Sequence, residues 1–194
     1  MGKGRIEAFS DGVLAVIITI MVLELHVPEG HDLSALWVVY PRFLSYVLSF
    51  IFIGIYWNNH HNLFHSISHV NGSVMWANNF LLFWLSLVPF ATDWMGETHF
   101  ETMPAVVYGL VLLMCGIAYY IVVLALRKLH GPESAVSLAL GTDWKGIVSP
   151  VLYILGILSA LFIHPYVACG IYALVAAMWF VPDRRFTRQI DHKA

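Results

Sequence analysis

Six stretches of about twenty apolar residues, separated by polar breaks, constrain this chain more than anything else in it, because a helix of about that length crosses a bilayer core about 30 Å thick. They fall at residues 6–25, 43–64, 74–92, 104–126, 147–163 and 166–182. In hydrocarbon the backbone must satisfy its own hydrogen bonds, and runs this long do so as helices. The predicted fold is therefore an all-α integral membrane protein, with six transmembrane helices per chain in one domain over 1–194. Only 11% of the residues are charged and 59% are hydrophobic, against roughly a quarter charged in a soluble domain. Disorder and coiled coils are excluded by the same figures. A net charge of -2 gives no reason to expect nucleic acid, and the six spans leave no room for a separate catalytic domain, so the chain is not read as an enzyme. Cys115 and Cys169 both sit inside apolar runs, which argues against a disulfide framework.

The last two spans are separated only by His164 and Pro165, a break that suits a tight helical hairpin. The longest connection lies between the fourth and fifth spans and carries Gly131, Pro132, Gly141 and Asp143. Positive charge stays on the cytoplasmic side of a membrane protein. With six spans and both termini cytoplasmic, Lys3, Arg5, Arg127, Lys128, Lys145, Arg184, Arg185, Arg188 and Lys193 all fall inside, and only Arg42 outside. The outer loops hold Glu24, Glu29, Asp32, Asp93, Glu97 and Glu101. Lys3 and Arg5 before an apolar run could announce a signal peptide, but the run continues through Ile20, Met21 and Val22 without a small-residue cleavage site, so it reads as a retained helix in the cell membrane.

The first span is unusual. Between Asp11 and Glu24 stand twelve residues without formal charge, a rod of about 18 Å, too short to cross hydrocarbon unaided. Intramembrane ionisable groups such as Arg5, Glu7 and Asp11 usually face a bundle interior or a wet cavity. Read at 100° per residue, Arg5, Phe9, Gly12, Val16, Thr19 and Leu23 form one stripe with heptad spacing. Such a seam lets several copies of a helix gather round an axis; it is equally the pattern of ordinary helix packing. Asp11 is expected on the other side, toward helices of its own chain. The Thr19 hydroxyl could bond the Ala15 carbonyl within its own helix.

Topology also places polar residues at one depth. The second span descends into Trp57, Asn58, Asn59, His60, His61 and Asn62, the third rises from Asn78 and Asn79, and all share the inner third with Ser10 and Asp11. A buried carboxylate needs donors, and Trp, His and Asn supply them without a full opposite charge. The expected arrangement is a hydrogen-bonded clamp that fixes the first helix against its bundle. A rival reading is a metal site, since His61 and His65 lie i, i+4 on one helix face and His60 and His69 add nitrogen; the usual zinc spacings are missing. Another alternative is a proton-coupled membrane carrier using Asp11 and the histidine cluster. Carriers commonly show paired inverted halves with matched Gly/Pro breaks, and no such pairing occurs here.

Arg5, Phe9, Ser10 and Asp11 stand as R-x-x-x-F-S-D at the start of the first span, followed by GVLAVIITIMVLEL. This resembles the transmembrane protein 175 family, the lysosomal potassium channels and their prokaryotic relatives, with supporting matches at Trp57, His60, Phe64, Asn78 and Pro89. The resemblance implies a single-repeat prokaryotic member assembling as a homotetramer, permeable to potassium and modestly selective for it, with the first helix lining the pore. It implies a constriction at Val16, Thr19 and Leu23, and a packing role for Arg5, Phe9, Ser10 and Asp11. No cofactor is implied beyond potassium as the permeant ion, and the partners are the chain itself, lipid and monovalent cations. No T-V-G-Y-G loop occurs, so a carbonyl-lined filter is excluded. Apolar rings strip water from an ion without replacing it, which penalises the more strongly hydrated sodium and permits closure by dewetting. Glu24, just beyond Leu23, could concentrate cations. There is no run of arginines at every third position, which argues against voltage sensing.

Overall fold

The computed structural model describes residues 2–28, 30–132, 134, 137 and 144–180. The expectations attached to Glu29, Gly141, Asp143, Arg184, Arg185, Arg188 and Lys193, and the last two residues of the sixth span, lie outside the described residues. Among those described, the architecture is all-helical: α1 (Gly4–Leu23), a 3-10 turn (Leu33–Ala35), α2 (Leu36–His65), α3 (Gly72–Ser86), α4 (Val88–Glu97), α5 (Thr102–His130), α6 (Trp144–Phe162) and α7 (Pro165–Phe180). Five helical segments are long and apolar enough to cross a membrane: α1, the turn with α2, α3 with α4, α5, and α6. α7 contributes 16 described residues, about 24 Å of helix.

The third span is not one rod. Pro89 lacks an amide hydrogen and its ring would strike the carbonyl four residues back, so the helix interrupts at Leu87, whose amide turns to the Trp84 carbonyl at 3.2 Å. Pro89 then sits in the first turn of α4, where its missing donor costs nothing. At the other end of α3, Asn71 caps the helix, its side-chain oxygen accepting from the Val74 amide at 3.0 Å. α2 starts before the expected 43, running through Pro41. Arg42 consequently lies within α2, and Asp93 and Glu97, expected in an outer loop, lie within α4. The Arg42 Nη2 lies 3.0 Å from Glu97 Oε1 at the end of α4, and Gly96 allows that approach: a Cβ there would come within 2.7 Å of the Arg42 Cα.

A buried hydroxyl ladder joins α2, α4 and α5. Thr92 Oγ1 donates to the Val88 carbonyl at 2.6 Å. Its single proton being used, Thr92 must accept from Ser49 Oγ at 2.7 Å, and Ser49 must in turn accept from Tyr108 Oη at 2.9 Å. Every hydroxyl proton in the ladder thus has an acceptor, which a water-free interior demands.

His164 makes the hairpin between α6 and α7. Its amide and that of Ile163 both donate to the Ser159 carbonyl at 2.9 Å, while its Nδ1 accepts from the Tyr166 amide at 3.3 Å. The hairpin returns Tyr172 into the core, fully buried, donating to the Ala105 carbonyl at 3.2 Å. Gly109 of α5 and Gly156 of α6 leave the room it needs, since a Cβ on either would overlap the phenol. Gly156→Ala is therefore expected to destabilise the chain by about 1–3 kcal/mol, the usual cost of overpacking, read as a lower melting temperature of the purified protein. An unchanged melting temperature would mean the Tyr172 wedge is slack.

Candidate pore-lining helix and its anchor

α1 has two unlike faces. Ile6, Ser10, Leu14, Ile17 and Met21 are buried, spaced four, four, three and four, and press against the rest of the bundle. The opposite stripe of Arg5, Phe9, Gly12, Val16, Thr19 and Leu23 is exposed throughout. Phe9 is 58% exposed, Val16 56% and Leu23 79%, so the chain by itself leaves an apolar seam uncovered. Thr19 Oγ1 donates to the Val16 carbonyl at 2.9 Å, one residue on from the Ala15 carbonyl expected. With its proton committed to the helix, the oxygen's remaining lone pairs are free to face outward. Arg5 stands exposed at the start of the stripe and Glu24 exposed just past its end.

The buried face is held by a neutral chain of hydrogen bonds. Asn78 Nδ2 of α3 donates to Ser10 Oγ at 2.9 Å, and Asn78 Oδ1 lies 2.7 Å from His60 Nε2 of α2. The amide oxygen can only accept, so His60 carries its proton on Nε2. All three side chains are buried, and the His60 ring stacks on Phe64 at 4.3 Å. Beside them Trp57 Nε1 donates to Asp11 Oδ1 at 3.1 Å. Through this bond Asp11 meets α2 of its own chain as expected, but it stays exposed rather than buried, and Ser10 is the buried anchor. The reason is helical phase, since Ser10 shares the turn-spacing of Ile6 and Leu14 whereas Asp11 is rotated about 100° from it. Phe9, on the seam, takes no part in the chain of bonds.

One anchor had no sequence signal beyond its charge. Lys3 Nζ donates to the Phe64 and His65 carbonyls, both at 3.1 Å, and so caps the end of α2 with the cation its dipole favours. The other polar residues of the cluster do not join it. Asn59 bonds the Ile55 carbonyl of its own helix, Asn62 donates to Asn58 at 3.4 Å, and Asn79 is exposed. His61 stacks between Trp57 and His65 on an exposed face, and His69 meets His130. Among the described residues no three His, Cys, Asp or Glu side chains gather in a metal-holding group.

The family model described as Endosomal/lysosomal potassium channel TMEM175 matches residues 5–89, the stretch that holds α1, α2 and α3. A protein of Chryseobacterium sp. (strain P1-3), named a potassium channel, is 51% identical over 190 residues, covering 98% of each chain. The chain belongs to the TMEM175 family. Its similarity extends to a human TMEM175, named an endosomal/lysosomal proton channel, at 33% identity over 103 residues, 47% of this chain and 20% of the human one. The crystal structure of a lysosomal potassium-selective channel TMEM175 homolog from Chamaesiphon minutus superposes with a TM-score of 0.79 at 27% identity, covering 93% of this chain and 97% of that one.

Within this TMEM175 fold, Asp11→Ala is expected to lower the thermal stability of the purified protein, because the Trp57 indole loses its acceptor, while the preference among permeant ions stays in place. A well-folded protein with an altered ion preference would instead put Asp11 in contact with ions.

Proposed function

We propose that this chain is the subunit of a potassium-permeable, modestly potassium-selective channel of the cell membrane. Four copies gather with their α1 helices round a central pore, and rings of Val16, Thr19 and Leu23 form its narrow part. The observation that carries this reading is the division of α1: one face pinned by Ser10, Asn78 and His60, the other an apolar seam that its own chain leaves bare. Lipid could cover that seam in a lone subunit, but the polar side chains of Arg5 and Thr19 along it suit an aqueous axis better than hydrocarbon. Membership of a family whose relatives are named potassium channels supports the choice.

The charge distribution supports both termini being cytoplasmic, with α7 as the sixth span. Lys3 at the start of α1 meets the end of α2, and His130 at the end of α5, just past Arg127 and Lys128, meets the α2 to α3 connection. These cations therefore share one end, while Arg42 pairs with Glu97 at the other. An ion at the Val16 or Leu23 ring loses water to a wall that offers no oxygen, a loss that costs sodium more than potassium. Thr19 lends one oxygen per subunit between them. Nothing in this scheme requires a cofactor, and closure follows if the apolar rings dewet.

The test is the reversal potential of the purified protein in a planar bilayer, potassium on one side and sodium on the other, alongside native mass spectrometry. A potential displaced toward the potassium equilibrium, from a particle of four chains, is expected. Electroneutral or proton-dependent flux without current would overturn the channel, and a stable dimer would overturn the four-helix pore.

A further inference from the structure

Past its last turn α1 is tied to two different helices by a single atom. Glu24 closes α1, and two residues on, His26 Nδ1 lies 2.9 Å from the Glu24 carbonyl oxygen and also 2.9 Å from Arg42 Nη1 of α2. These two contacts cannot be hydrogen bonds at the same moment. A carbonyl only accepts and a guanidinium only donates, so the first needs a proton on Nδ1 and the second a bare lone pair there. One proton therefore decides whether His26 serves α1 or α2.

Both states are satisfied. Neutral His26 with its proton on Nε2 accepts a charge-assisted bond from Arg42. That ties the end of α1 to α2 and, through the pair of Arg42 Nη2 with Glu97 Oε1 at 3.0 Å, to α4. Protonated His26 has no lone pair for Arg42 and is repelled by its charge. It donates to the Glu24 carbonyl instead, where a cation also suits the negative end of the helix dipole. Arg42 is not stranded when it is let go, because Glu97 still holds it. Glu24 and Asp93 line the small cleft in which it lies. The charged groups round His26 are thus Glu24 on its own segment, Arg42 on α2, and Asp93 and Glu97 on α4; the carboxylates favour the protonated ring and Arg42 opposes it. His99, after α4, is engaged in its own turn, its Nδ1 3.2 Å from the Glu97 carbonyl.

We infer that His26 is a proton-operated clasp on the end of α1, closed on Arg42 when neutral and folded back onto α1 when charged, working in the pH range of about 5 to 8 where histidine changes charge. His26 is exposed, so its proton comes directly from solvent. Leu23 stands three residues before it, and opening the clasp frees the helix end that carries this side chain. The clasp itself does not depend on the channel reading.

The experiment is magic-angle-spinning NMR of the full chain in lipid vesicles, with the nitrogens of histidine and arginine isotope-labelled, at about pH 8 and about pH 5. His26→Gln and Arg42→Lys assign the two side chains by the signals they remove. At the higher pH a bare Nδ1 on His26 and a dipolar contact from it to the Arg42 guanidinium are expected. At the lower pH both ring nitrogens carry protons, the contact is lost and the Arg42 resonance moves. In His26→Gln the side-chain oxygen accepts at either pH, so the Arg42 resonance is expected to stay in place. An Nδ1 already protonated at the higher pH overturns the clasp. So does an Arg42 resonance that moves equally in the wild type and in His26→Gln, since the carboxylates would then drive the change. Should His26→Gln fail to fold, the wild-type spectra decide alone, and a contact that persists at the lower pH overturns the proposal.

Discussion

Asn78→Ala is expected to be among the most destabilising single substitutions in this chain. The amide is fully buried and serves two helices at once, donating to Ser10 on α1 and accepting from His60 on α2. Truncating it strands the His60 Nε2 proton and removes the donor to Ser10 Oγ, and each buried group left without its partner costs about 1–3 kcal/mol. Hydrogen bonds between membrane helices average nearer 0.6 kcal/mol, which pulls the sum down to about 2–4 kcal/mol once the small cavity is included. Against a net stability of about 5–15 kcal/mol, that is a large fraction. The measurement is the melting temperature of the purified protein, with Asn78→Leu as a companion that keeps most of the volume. Both variants should fall together, and Ser10→Ala added to Asn78→Leu should recover part of the loss, because pairing an apolar group with an apolar group removes the stranded oxygen. Melting indistinguishable from wild type in both single variants would show that the anchor of α1 lies elsewhere, with Lys3 or the Asp11–Trp57 bond carrying it.

This anchor also shows what the sequence could and could not reveal. That Ser10, Trp57, His60 and Asn78 share one depth follows from counting spans, because adjacent antiparallel helices fix which ends lie together. Which neighbour bonds which does not follow. Depth is a one-dimensional coordinate, and the difference between Ser10 and Asp11 is a rotation of one residue, about 100°; a formal charge drew attention that the buried serine deserved. The same blindness hid the ladder of Ser49, Thr92 and Tyr108. A single hydroxyl within an apolar run leaves no periodic mark, and only tertiary contact assigns its proton. The partner of Arg42 is hidden for a different reason. A cation near a helix start looks like a loop residue until its partner is known, and Glu97 lies 55 positions further along the chain. The break at Pro89 is hidden within the apolar span 74–92, because hydropathy averages across a kink. The uncovered seam of α1, on the other hand, is a pure repeat of four and three, and periodicity locates such a stripe well. What periodicity cannot decide is whether a bare apolar seam meets lipid, a partner helix or water.

Leu23→Asn decides that question. If the seam faces the pore, the substitution puts amides round the axis at the ring where an ion would otherwise be poorest in oxygen, and sodium regains what it had lost. A tenfold preference corresponds to about 1.4 kcal/mol, so in a four-fold pore each subunit need supply only about 0.35 kcal/mol, less than a single amide contributes through one hydrogen bond. Selectivity is therefore expected to collapse, with the bi-ionic reversal potential moving to near zero. Val16→Asn should act in the same direction and more weakly, because a valine ring leaves a wider opening than a leucine ring. Val22→Asn is the control: it is also exposed, at 45%, but sits about 100° round the helix from Leu23 and should leave the reversal potential in place. Loss of preference in Val22→Asn with its retention in Leu23→Asn would mean that α1 is rotated by one residue in the assembled pore. Retention in all three would take α1 out of the permeation path, leaving the seam to lipid or to a neighbouring subunit.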